Sequence, residues 1–198
     1  MERGKFIAFE GLDGSGQTTQ ANKLTDFIQA MNERVHLTKE PTNNIIGGLV
    51  RGQLTHDWHS SPECLQLLFA ADRAHHLDKE ILPLLNQGIS VITDRYFFST
   101  IAFGSTEISD WNWLKEINKN FIEPDLTFII KTSPETCLAR INKNRFNLEL
   151  FEKTETLKKV WAGYERVAKE FDHIIMIDGE KTPDKVFLQI EDAYHQYF

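Results

Sequence analysis

Residues 11–20 read GLDGSGQTTQ and follow the apolar run FIAF, with Glu10 between them. Glycines at 11 and 16 with a threonine at 18 fit the spacing G-x-x-x-x-G-[K]-[ST] at every fixed position but one, with an extended run before it and a helical pattern after it. The glycines let backbone N–H groups turn toward an anion, and the start of the following helix adds a field that favours negative charge. Thr18 is placed to offer its hydroxyl to a Mg²⁺ held between phosphates. Without those flanks the stretch would be a glycine-rich turn and nothing more. The exception is Gln17, which stands where a lysine is expected. Charge-assisted hydrogen bonds contribute about 1.5–3 kcal/mol and neutral ones about 0.5–1.5. Phosphate binding survives that difference; a phosphoryl-transfer step is more exposed to it.

The rest of the chain repeats the alternation that the loop begins. KFIAFE (5–10), RVHLTK (34–39), ISVIT (89–93), DLTFII (125–130) and HIIMI (173–177) are short apolar runs. Between them, Ala21, Leu24, Ile28 and Met31 recur at helical spacing, and Ser60 and Ser61 before Pro62 open a helical pattern that stops at Gly88. Ser133 and Pro134 start another helix, a long charged helix follows from about 150 to 171, and a last one runs from about 183 to 194. Strands without polar alternation, separated by helices, predict one α/β domain: a five-stranded parallel sheet with helices on both faces.

With 198 residues and a net charge of −7, broad electrostatic attraction to nucleic acid or an anionic membrane is excluded, so any phosphate must be held by a few placed cations. Cys64 and Cys137 are far apart and read as reduced thiols. The run after MERGK is too short for a signal peptide, and no segment reaches the ~20 apolar residues of a membrane span. The chain reads as cytoplasmic.

At FIAFEGLDGSGQTTQ, together with FAADR and ITDRY, the sequence resembles the thymidylate kinase family of P-loop nucleoside monophosphate kinases, over essentially its whole length. The resemblance implies a P-loop NTPase fold in a single domain over 1–198, with a phosphate loop at 11–19 and a lid near 140–150. It implies transfer of the γ-phosphoryl group of ATP to dTMP, giving dTDP and ADP. ATP would lie on Gly11, Leu12, Asp13, Gly14, Ser15, Gly16, Gln17, Thr18 and Thr19, with Mg²⁺ held at Thr18 and Asp94. A carboxylate at the C-terminal end of a parallel strand beside a phosphate loop suits that metal role on physical grounds too.

On the acceptor side, Phe69 and Arg73 lie at i, i+4 in LLFAADR and share a helix face. Taken alone, Phe69 reads as core and Arg73 as a surface cation; the resemblance instead has them stack on and hydrogen-bond thymine. Ser99, Thr100 and Phe103 would complete the base and sugar pocket, and Arg51 and Arg95 would hold the acceptor phosphate. Arg51, too, reads as a surface residue on its own. KEPTNN departs from the family's pattern by placing Thr42 and Asn43 where two glycines are usual, which leaves the loop's shape open. Asp13 would lie near the substrate's 3′-hydroxyl and acceptor phosphate.

ARINKNRFNLE resembles the lid, with Arg145 as its arginine and Arg140 and Lys143 as further cations. With Gly14 in the loop, the chain is similar to members that place the arginine in the lid, so Asp13, Arg95 and Arg145 are the expected catalytic residues. An arginine brought in by lid closure supplies charge from the side opposite Gln17. The family implies a homodimer. Two alternatives stand beside this reading: another nucleoside monophosphate kinase on the same scaffold, and a nucleotide-binding protein with weak or no turnover.

Overall fold

Each apolar run forms a strand that starts one residue later and, except for RVHLTK, also ends one residue later. A computed structural model describes residues 2–144 and 154–198. In it β1 (Phe6–Gly11), β2 (Val35–Lys39), β3 (Ser90–Asp94), β4 (Leu126–Lys131) and β5 (Ile174–Asp178) form one parallel sheet in the order β2-β3-β1-β4-β5. The shift arises because the ladder continues into the first polar residue, pairing Phe9 with Asp94 and Gly11 with Ile130. Strand residues alternate between two cores. Phe6 and Ala8 face one, Ile7 and Phe9 the other, and all four are fully buried. Both faces of the sheet are covered, which is why the runs lack polar alternation.

Helices α1 (Gln17–Ala30) and α9 (Pro183–Tyr197) cover one face through Leu24, Ile28, Val186 and Ile190. The other face is covered by α3 (Pro62–His76), α5 (Phe97–Gly104) and α8 (Thr154–Glu170). α2 (Ile45–Leu54) packs against α3. The expected helix up to Gly88 is interrupted. After α3 a π-helical turn spans Leu77–Ile81 before α4 (Leu82–Asn86). Pro83 has no N–H to continue the ladder, and the wider turn sits immediately ahead of it. Gly88 then ends the segment at φ +68°. The short α6 (Trp111–Glu116) is anchored by Trp111, whose indole N–H donates to Glu170 at 3.0 Å. α7 (Pro134–Asn144) follows β4 and leads toward the lid segment.

The strand order places β3 and β4 on opposite sides of β1. Crossovers leave β1 in both directions, so a crevice opens at its C-terminal end, where parallel α/β sheets bind ligands. The loop at 11–19 emerges there.

Candidate active site

The loop is shaped by positive φ at Gly11 (+151°), Gly14 (+80°) and Gly16 (+100°). At Gly14 the glycine is required twice over, since a Cβ would come within 2.6 Å of the Cys137 carbonyl oxygen. Gly16 caps α1 with no side chain in the way, leaving the helix N-terminus open. Gln17 lies inward: its Oε1 is buried without a hydrogen-bond partner. Leu12 is not a cleft residue; its side chain is in the core, and only its backbone shapes the loop.

A cleft of about 560 Å³ runs from this loop across the end of the sheet. Its wall brings together Asp13, Thr18, Arg51, Phe69, Arg73, Asp94, Arg95, Ser99, Thr100 and Phe103. These positions lie up to 90 residues apart in sequence. Arg145 and the lid beyond 144 lie outside the described residues, as does the Lys143 side chain. Arg140 is described: it donates to the Ser15 carbonyl at 3.1 Å and to the Gly179 carbonyl at 3.0 Å, tying the loop to the turn after β5.

At the loop end, Thr18 Oγ1 donates to Asp94 Oδ2 at 2.5 Å, while Asp94 Oδ1 is buried and unpartnered. A hydroxyl against a carboxylate with one orphaned oxygen is a donor set that a hard dication would complete. Next to it, Arg95 has φ +76°, unusual for a residue with a side chain. Its guanidinium pairs not with Asp94 but with Asp13 Oδ1, at 2.6 Å, and also donates to Ser99 Oγ at 2.9 Å and the Gly11 carbonyl at 3.1 Å. Burial opposes this charge, but Asp13 and the other acidic neighbours outweigh it and hold the guanidinium protonated.

At the other end, Arg73 is no surface cation. It is 1% exposed and donates to Glu40 Oε2 at 2.6 Å, Asn118 Oδ1 at 2.7 Å and Thr100 Oγ1 at 3.0 Å. Its Nε remains a buried donor without a partner. Phe69, half-buried, lines the cleft one turn earlier on α3. Arg51 is half-buried as well, donating from α2 to the Thr42 carbonyl. The Thr42–Asn43 departure has a structural answer. Thr42 N–H and Oγ1 donate to Asp72 at 2.7 and 2.6 Å, so a side chain fixes a loop that glycines would shape by backbone freedom.

A model of the family described as Thymidylate kinase matches residues 9–190. A probable thymidylate kinase from Pyrococcus horikoshii is 40% identical over 194 residues, covering 95% of this chain and 94% of the relative. A thymidylate kinase from Carboxydothermus hydrogenoformans is 36% identical over 198 residues, 96% of each chain. The chain belongs to the thymidylate kinase family. Among solved structures, thymidylate kinase from Candida albicans has a TM-score of 0.85 at 28% identity, covering 98% of this chain and 92% of its own.

Several residues of this thymidylate kinase site escape the sequence motifs. Glu40 and Asn118 hold Arg73 from 33 and 45 positions away. Glu10 reads as a strand residue, yet it is fully buried beside Arg95, and burial pushes its carboxyl up to about 7 against the hydrogen bonds it accepts. Tyr164 on α8 reaches the same place, its hydroxyl 2.8 Å from Glu10 Oε2. A charged residue inside an otherwise apolar strand was the only available signal.

Proposed function

We propose that the γ-phosphoryl group of ATP passes to dTMP in this cleft, giving dTDP and ADP, with the loop at 11–19 as donor site and the Arg73 end as acceptor site. The observation that carries the assignment is Arg95, fixed by Asp13 on the wall of the same cleft that Thr18 and Arg73 line. Loop N–H groups and the α1 N-terminus hold the donor's phosphates. Phe69 stacks on the thymine ring, and the free Nε–H of Arg73 donates to a base carbonyl. Thr100 and Phe103 close the sugar side, and Arg51 and Arg95 hold the acceptor phosphate. That phosphate is already ionised at neutral pH, so positioning and charge neutralisation carry the transfer and no strong base is required.

Thr18 and Asp94 would hold Mg²⁺, which would supply positive charge against the donor's phosphates. Arg145 would supply the positive charge that Gln17 lacks when the lid closes. Gln17 is the one feature on which a binding-only reading rests, and the intact Thr18–Asp94 and Asp13–Arg95 pairs speak against it. Homodimerisation through α2 and α3 is supported by Ile45, Leu49 and Leu67, which are 86%, 47% and 50% exposed. Among the described residues no helix is long and apolar enough to cross a membrane; a cytoplasmic location is part of the proposal. The reading is tested by comparing dTMP, dUMP, dCMP and dGMP as acceptors. Preference for dTMP is expected, and preference for the purine would overturn the thymine pocket.

A further inference from the structure

Glu10, the residue before the phosphate loop, has no part in the transfer described above, yet every lone-pair direction of its carboxylate is used. Oε1 accepts from the backbone N–H groups of Tyr96 at 2.9 Å and Ser99 at 3.1 Å. Oε2 accepts from the Ser99 hydroxyl and from the Tyr164 hydroxyl at 2.8 Å. These donors sit on two other elements, α5 and α8. Tyr96 is the N-cap residue of α5, and its side chain makes no capping bond. The cap is therefore supplied from the neighbouring strand by Glu10, which meets the Tyr96 N–H and shares the Ser99 N–H with the Tyr96 carbonyl, 3.1 Å away.

Stability alone is a poor reason for such an arrangement. Burying a carboxylate costs heavily in desolvation, and apolar side chains of similar volume commonly stabilise a fold as well or better. What this network adds is definition at one point. Ser99 Oγ, fixed by Glu10, accepts from Arg95 Nη1 at 2.9 Å. The Tyr164 hydroxyl lies 2.9 Å from Ser99 Oγ and 3.5 Å from Arg95 Nη1. Asp13 holds the other arm of the same guanidinium. Arg95 therefore has one arm on Asp13 and the other shared between the Gly11 carbonyl and a frame whose corner is Glu10.

We infer that Glu10 is a positioning residue: by fixing Ser99 and Tyr164 it sets where the Arg95 guanidinium meets the acceptor phosphate, and it ties that arginine to α8. The inference rests on the role proposed above for Arg95. A glutamine in place of Glu10 keeps the volume but turns one acceptor into a donor facing donors. The frame then opens on the Ser99–Tyr164 side, while the loop that holds the nucleoside triphosphate, which Tyr164 and Arg95 touch at the Gly11 carbonyl, keeps its glycine-set turns at Gly14 and Gly16.

The test is a kinetic cycle on the full chain with Glu10→Gln, Arg95→Ala and the double variant, reading kcat/KM for dTMP and the Kd of ATP. Misplacement of a positioned group by an ångström costs up to about a hundredfold, so Glu10→Gln should lower kcat/KM for dTMP about tenfold or more. The Kd of ATP should move less than about twofold. In the Arg95→Ala background, Glu10→Gln should change kcat/KM less than about twofold, because the group it positions is gone. An equal loss in both backgrounds, or an equal loss of ATP affinity, would overturn the inference by making Glu10 a general structural residue. Tyr164→Phe removes one donor and leaves Glu10 in place. It should give a smaller loss with the same dependence on Arg95, and it decides the matter if Glu10→Gln does not fold. If Arg95→Ala alone leaves dTMP turnover unchanged, the assignment of Arg95 fails, and the positioning role fails with it.

Discussion

Arg73 and Glu40 meet at 2.6 Å with side chains only 1% and 4% exposed, on α3 and at the end of β2. Removing one member of such a pair strands a buried charge and costs about 3–5 kcal/mol. Glu40→Ala is therefore expected to destabilise the protein by about that amount in urea unfolding. At temperatures where the variant stays folded, its KM for dTMP should rise as Arg73 loses its anchor. Unchanged stability and KM would mean that Asn118 and Thr100 hold Arg73 without help.

Thr18 and Asp94 share a short hydrogen bond that leaves Asp94 Oδ1 bare. Asp94→Asn keeps the shape and removes a negative oxygen from the proposed dication site. It is expected to raise the Mg²⁺ concentration needed for half-maximal activity and to lower kcat about a hundredfold, the scale of losing one transition-state electrostatic group. A Mg²⁺ titration of both proteins checks it. An unchanged midpoint would move the metal away from Asp94.

Gly47, in the first turn of α2, lies directly over Thr42, where a Cβ would fall 2.0 Å from the Thr42 carbonyl oxygen. That oxygen also accepts from Arg51. Gly47→Ala should force the two backbones apart, cost roughly 1–3 kcal/mol, and raise the KM for dTMP by displacing Arg51. The melting temperature and the KM are expected to shift together.

Glu10 makes stability depend on pH. Its carboxyl titrates at 4.5 when solvated and is pushed up to about 7 by burial in the fold. Below pH 4.5 both folded and unfolded chains hold the proton, and above 7 neither does. Between those values only the folded chain holds it, so this group's stabilisation is present at low pH and is lost as pH rises toward 7. The loss is on the order of a few kcal/mol. The stability difference between wild type and Glu10→Gln, followed by urea unfolding from pH 4.5 to 8, should carry that slope and flatten above 7.

These predictions concern contacts that the sequence conceals to different degrees. The strands were legible because burial on both faces leaves an unbroken apolar run such as FIAF. The start of α3 was legible because Ser61 caps it locally, accepting from the Cys64 N–H. α2 was not, since Gly47, Gly48 and Gly52 argue against a helix, and the reason for Gly47 lies in the Thr42 backbone rather than in its neighbours. Arg73 and Arg51 looked like surface cations for the same reason. A local pattern shows the charge, and only the fold shows Glu40 or Thr42 beside it. Glu10 was least visible, because its partners Ser99 and Tyr164 lie 89 and 154 residues away.

Gln17 and Arg145 divide the remaining question. If the lid supplies the charge, Arg145→Ala should lower kcat about a hundredfold, and by more than it weakens dTMP binding. Gln17→Ala, which removes a neutral donor, should lower kcat less than about tenfold. The reverse ranking would place the transition-state charge on the loop.

The most direct measurement is turnover of the unmodified chain, with ADP and dTDP quantified together in the presence of ATP, Mg²⁺ and dTMP. Stoichiometric formation of both products, sustained over many turnovers, is the expected result. Binding of ATP and dTMP without dTDP would contradict the account and make this fold a nucleotide receptor that lacks the charge a lysine in place of Gln17 would supply.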